Sequence, residues 1–185
     1  MVVSKKRMSS RMVSKQQQLR WLQEGRGQGQ LDTYKPFLNV RDNKSLTERS
    51  SRVYGYKTQR THHLFSDLEL ALFLALDRIQ DIEDIREQIP LDLETTVQIA
   101  EDLKIPHPIE QNVHQIITST FFIVNHSPLK PPCFVVKALK STHLELKRTI
   151  AQLELERRYW EQKNIPWFLF TEKDISPTAI DNIKW

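Results

Sequence analysis

Lys137 stands in Phe134-Val135-Val136-Lys137-Ala138-Leu139, an otherwise apolar run. An unpaired buried ammonium is costly, so a lysine there must reach solvent or meet an anion. In the first case it is a strand-end or edge lysine; in the second it offers its cation to a phosphate or a nucleophilic water. Strand alternation puts Cys133 and Val135 on its face. Glu69 is the fourth residue of Ser66-Asp67-Leu68-Glu69, a capping-box pattern in which the acid usually bonds the amide at the helix start. Helical spacing also sets it beside Leu72, Phe73 and Leu76, where an inward carboxylate is a candidate metal ligand. Glu156, within Glu154-Leu155-Glu156-Arg157-Arg158-Tyr159-Trp160, reads as an ordinary helix-surface ion-pair residue, of small energetic weight.

Other chemistries find little support. The six histidines are scattered, and no Cys/His set has zinc spacing. His62-His63 reads as structural or as polar groups facing a nucleic acid. Gly25-Arg26-Gly27-Gln28-Gly29 follows no strand and lacks the dinucleotide-binding spacing, so it is a turn-rich loop. No Gly-rich loop carrying Lys-Ser/Thr is present, which argues against nucleotide hydrolysis.

The elements that must position these residues follow from periodicity. A short helix is expected through Gln16–Gln23, then irregular, basic and aromatic chain to Thr61. The body begins near His62. A helix is expected over Asp67–Gln80, a strand over Ile85–Leu91, and a short helix over Thr95–Lys104, ending before Pro106. Strands are expected over Gln115–Val124 and Cys133–Leu139. A long helix capped by Ser141 or Thr142 runs to Lys163, a last strand covers Pro166–Thr171, and Ser176-Pro177 opens a final short helix. This order implies an α/β layered domain around a mixed sheet.

The net charge of +4 hides an asymmetry. Residues 1–60 hold 14 Lys/Arg against 4 Asp/Glu, whereas residues 61–185 hold 13 against 19. A basic arm on an acidic body points to a polyanionic partner, or to a solvated tail. Trp21 and Tyr34 are expected to anchor the arm on the body. The division is a disordered basic tail over 1–18, a basic Gly/aromatic arm over 19–61 and the body over 62–185. One cysteine, Cys133, excludes an internal disulfide and suits a reducing cytoplasm, and no apolar run approaches membrane-spanning length.

Several blocks together resemble the TnsA family of transposon endonucleases: Trp21-Leu22-Gln23-Glu24-Gly25-Arg26-Gly27-Gln28-Gly29 with Tyr34-Lys35-Pro36-Phe37; Arg60 through Glu69; Asp84 through Leu91; Leu153 through Trp160; and Ile165 through Thr171. The resemblance implies a restriction-endonuclease-like core. It also implies an Mg²⁺- or Mn²⁺-dependent nuclease that nicks the 5′ ends of a transposon, beside a TnsB-type transposase and a TnsC-type ATPase. The family's site glutamate falls on Glu69, which would hold the metal, and its lysine on Lys137; Glu156 matches a further acid. Arg26, Lys35, Arg52, Lys57, Arg60, His62 and His63 are the expected DNA contacts.

The chain departs from the pattern at one place. Where the family carries a metal-binding aspartate, Ile117-Thr118-Ser119-Thr120-Phe121 puts Thr120, and Asn112–Lys130 holds no acid to replace it. Val135 stands where a polar residue is usual, and the C-terminal extension of longer members is expected to be missing. Without metal, Lys137 and Glu69 are expected to pair. Two readings follow: an active nicking subunit, or an impaired homologue that supports transposase and DNA architecturally.

Overall fold

The computed structural model describes residues 13–42 and 49–176. The arm starts with helix α1 (Lys15–Gln23), capped by Ser14, whose hydroxyl accepts the Gln17 amide. After a 3-10 turn at Leu31–Thr33 comes a hairpin, β1 (Ser51–Gly55) with β2 (Arg60–Leu64). Helix α2 (Asp67–Leu76), strand β3 (Ile82–Pro90) and helix α3 (Leu93–Leu103) follow. A two-residue-per-strand hairpin, β4 (Ile109–Glu110) with β5 (Val113–His114), leads to β6 (Thr118–Asn125) and β7 (Cys133–Ala138). A 3-10 turn at Ser141–Glu145 precedes helix α4 (Lys147–Gln162), and β8 (Trp167–Phe170) closes the main sheet.

That sheet has the order β3-β6-β7-β8, antiparallel except for the parallel β7–β8 pair. It is a mixed sheet flanked by helices, as the element order implies. One face packs on α2: Phe73 and Leu72 lie with Ile85, Phe121, Ile123, Val136 and Ala138. The other face packs on α3 and α4: Val135, Leu155, Tyr159 and Trp160 lie with Ile99. Helix α2 buries residues around most of its circumference, Leu68 through Phe73 and then Leu76, which is how a helix reads when covered on several sides.

Local signals set several boundaries. Asp92 caps α3 by accepting the Thr95 amide, and Lys104 ends it in the left-handed conformation. Helix α2 stops at Leu76, short of the expected Gln80. The long helix starts at Lys147 rather than at Ser141, because residues 141–145 wind as 3-10 and Leu146 offers no side-chain cap. The irregular chain expected up to Thr61 contains the β1–β2 hairpin, so the expected body boundary at 61/62 falls inside β2. The arm packs inward, with Trp21, Tyr34 and Phe37 buried. The first twelve residues of the expected tail and the helix expected after Ser176 lie outside the described residues. Among the described residues no helix is long and apolar enough to cross a membrane.

Besides a register shift between Ile82 and Asp84, the strand alternation breaks near the start of β6, and that break matters for the site. Ser119 Oγ accepts the Trp160 indole N–H at 2.8 Å, while Phe122 also lies against Trp160, ring centroids 5.7 Å apart. Residues three apart face opposite sides of a regular strand. Here both reach the α4 side, so β6 irregularly turns over between them. Opposite, Gln88 of β3 is buried at φ +51°, and its side-chain oxygen accepts the Thr118 hydroxyl at 3.0 Å. Across Gln88, Glu87 serves the α2 side and Ile89 the α4 side. The register with β6 is continuous across Gln88, so its positive φ marks a local twist matched on both strands and not an inserted residue.

Candidate functional site

Beside this twist the β6–β7 ladder gives way to side-chain bonds. Its last regular pair is Phe121 with Val136, so Thr120 and Lys137 come next in register. The Thr120 hydroxyl accepts the Ala138 amide at 3.1 Å, and Lys137 Nζ donates to the Thr118 carbonyl at 2.7 Å. Lys137 Nζ also lies 3.1 Å from Glu156 Oε2. Glu156 is 1% exposed, and its other oxygen accepts the Trp167 indole N–H at 3.1 Å. A buried carboxylate needs such partners, since desolvating an uncompensated charge is expensive.

Lys137 therefore neither waves in solvent nor lies unpaired. It shares its face with Val135, as alternation requires, and meets α4. Glu156, expected on the helix surface, is instead buried against the sheet, because α4 turns this one acid inward while Glu154 and Glu161 pair outward with Arg157 and Arg158. The carboxylate found on Lys137 belongs to Glu156, where Glu69 was the expected partner.

Glu69 caps its helix and is also turned inward. Its amide bonds Ser66 Oγ at 3.1 Å, and its Oε2 accepts the Phe65 amide at 2.7 Å, one residue before the classical recipient. It is also 8% exposed, on the buried side of α2. Thr120 and Lys137 are thus register neighbours with Glu156 joined to them, while Glu69 stands on α2, which packs against β7.

A groove of about 470 Å³ opens over Lys137 and Glu156, lined also by Thr118, His143, Arg148 and Gln152. Its floor is poor in divalent-metal ligands. Mg²⁺ and Mn²⁺ take hard, anionic oxygens. Thr120 is not in the lining and offers only a neutral hydroxyl already accepting a backbone N–H, Glu156 is paired with Lys137, and Glu110 is the other acid of the groove. Among the described residues no three His, Cys, Asp or Glu side chains gather to hold a metal ion. This donor set does not fit such an ion.

A second polar constellation lies under the β1–β2 hairpin. Glu87, fully buried, accepts Arg60 Nη1 at 2.8 Å and Nη2 at 2.6 Å, contacts His62 Nδ1 at 2.8 Å, and accepts the His63 amide at 3.1 Å. Burial pushes its carboxyl up, but the bonds from His62 and Arg60 outweigh that and hold it at about 2. His62 Nε2 is 2.7 Å from the Thr58 hydroxyl, and Arg60 stacks 4.9 Å over Tyr34. This network fastens the hairpin and the arm to β3. The sequence reading assigned Glu87 no role; the signal was a charged residue at an inward position of β3.

The expected DNA contacts divide accordingly. Arg60 and His62, both expected at DNA, are buried, with their polar groups bonded to Glu87, Thr58 and the carbonyls of Leu31 and Ile85. Arg26 is tied to Glu24 and Asp42 and stacks 4.6 Å over Trp21. His63 is half-buried, its Nδ1 accepting the Val40 amide at 3.3 Å. Lys57 is half-buried too, and Lys35 and Arg52 are exposed.

Two similarities bear on this geometry. The family described as "TnsA-like endonuclease N terminal" matches residues 80–172, which run from β3 through β8. The chain is also 46% identical over 167 residues to the transposon Tn7 transposition protein TnsA of Escherichia coli, across 90% of this chain and 60% of that relative. It spans about three-fifths of the relative's length.

Proposed function

The chain belongs to the TnsA-like endonuclease family, and from that premise we propose that it is the TnsA-type subunit at transposon ends, bound to DNA beside a TnsB-type transposase, with its own strand cleavage attenuated. The family relationship supports the role in transposition and a nuclease ancestry. The mixed sheet with a lysine at the end of β7 is compatible with a restriction-endonuclease-like core. In that core Lys137 would stabilise charge on the phosphate or orient water, with Glu69 and Glu156 as the remaining acids. A TnsC-type ATPase is a further partner of this reading, and the nucleoid-bearing cytoplasm its place.

One observation carries the attenuation: the hydroxyl of Thr120 accepts the Ala138 amide where the family's pattern has a carboxylate. A divalent ion there would lose one of its anionic ligands, and with it the main means of activating water. The same bond keeps the strand ends together, which suits a subunit retained for architecture. Lys35, Arg52 and Lys57 supply phosphate contacts that weaken with salt.

The test is assembly. A full-length protein, its transposase and end DNA are mixed and followed by footprinting. The reading expects protection at the ends that extends when this subunit is added. An unchanged footprint, with no binding of the subunit to DNA or transposase, rejects it.

A further inference from the structure

Resting on the DNA-bound reading above, we infer that His143 and Arg148 form a second phosphate seat in the groove over Lys137, which takes the same DNA strand within about three nucleotides of the phosphate at Lys137. Arg148, Gln152 and Glu156 follow at helical spacing along one face of α4, and all three line the groove. Glu156 joins Lys137 at the floor. Arg148 lies eight residues earlier, roughly 12 Å along the helix axis. A strand of duplex DNA rises about 3.4 Å per nucleotide along the duplex axis and travels farther along its winding backbone, so that span covers at most about three steps.

Among the described residues that line the groove, Arg148 is the cation that no acid holds, since Lys137 is paired with Glu156. Arg148 and His143 are exposed, and neither side chain has a hydrogen-bond or ion-pair partner among the described residues. Arg157 and Arg158, farther along the same helix, are instead held by Glu154 and Glu161. Thr149 and Gln152 add neutral polar groups between the two cationic points. Glu110 is the other acid in the lining besides Glu156. Cations set apart by neutral polar groups suit separated phosphates of one strand, and arginine matches phosphate oxygens in a two-point fork.

The test uses the full chain and a labelled DNA duplex, with binding followed by anisotropy across a salt series. Arg148→Gln is expected to weaken binding about three- to tenfold and to reduce the log–log salt slope by about one. Arg158→Gln, on the same helix but outside the groove, is expected to leave both unchanged. In a second arm one strand carries a neutral methylphosphonate, moved nucleotide by nucleotide. One position should weaken the wild type and have no added effect on Arg148→Gln. Wild-type binding with an unaltered slope in Arg148→Gln, or with no such position, overturns the seat. Failure of the wild type to bind duplex at all overturns the DNA-bound reading beneath it.

Discussion

Lys137 Nζ bridges the Thr118 carbonyl, 2.7 Å away, and Glu156 Oε2, 3.1 Å away, so the β7 lysine ties the end of β6 to helix α4. Removing either partner should be felt as stability. Lys137→Met leaves Glu156 with only the Trp167 N–H, and is expected to cost about 3 kcal/mol. Glu156→Gln keeps shape but not charge and should cost about 1.5–3 kcal/mol. Urea denaturation of the singles and the double gives the coupling; additive losses would mean that the pair contributes nothing as a pair.

Thr120→Asp restores a carboxylate beside Lys137 at a site 3% exposed. Without metal the extra buried charge is expected to lower Tm by several degrees, at about 2–4 °C per kcal/mol for a chain of this size. Millimolar Mg²⁺ should recover that loss in the variant and leave the wild type's Tm unmoved. A wild-type Tm that rises as much with Mg²⁺ would show that Thr120 does not impair metal binding.

The Glu87 network predicts an acid limit. The carboxyl is held at about 2 in the folded chain against an ordinary value of 4.5. A depressed carboxyl contributes stability that is complete above the unfolded pKa and is lost as pH falls through the folded one. The shift corresponds to on the order of 3 kcal/mol, lost between about pH 4.5 and 2. Glu87→Gln should flatten that part of the stability–pH curve. A variant with the wild-type slope there would remove Glu87 as its source.

Arg60 and Lys57 are neighbours in sequence with opposite expected roles. Arg60→Ala should destabilise by about 3–5 kcal/mol, because it strands a buried carboxylate. Lys57→Ala should leave stability within about 0.5 kcal/mol and weaken DNA binding with a smaller salt slope. Denaturation and anisotropy on the two proteins decide it; equal stabilities would contradict the buried assignment of Arg60.

The parts of this structure that were legible in sequence are those set by local pattern. The Ser66–Glu69 pattern marked the start of α2 to the residue, and the apolar runs marked β7 and β8. The hairpin β1–β2 was missed because its inward residues include Arg60 and His62, polar groups that local pattern reads as surface. Their partner Glu87 lies 25 and more residues away. Glu156 was misread for the same reason: only the fold reveals that this acid meets a lysine 19 residues earlier, on β7. The positive φ of Gln88 leaves no local mark, since at a glutamine it is imposed by the pairing of β3 with β6.

The most direct measurement is the product of a reconstituted transposition reaction with the transposase and ATPase partners. Uncut 5′ strands leave donor and target joined as cointegrates, whereas cut ones release simple insertions. The wild-type chain should give mainly cointegrates, and Thr120→Asp should shift the product toward simple insertions. Efficient simple insertion by the wild type, unchanged by Thr120→Asp, would contradict an attenuated site at Thr120.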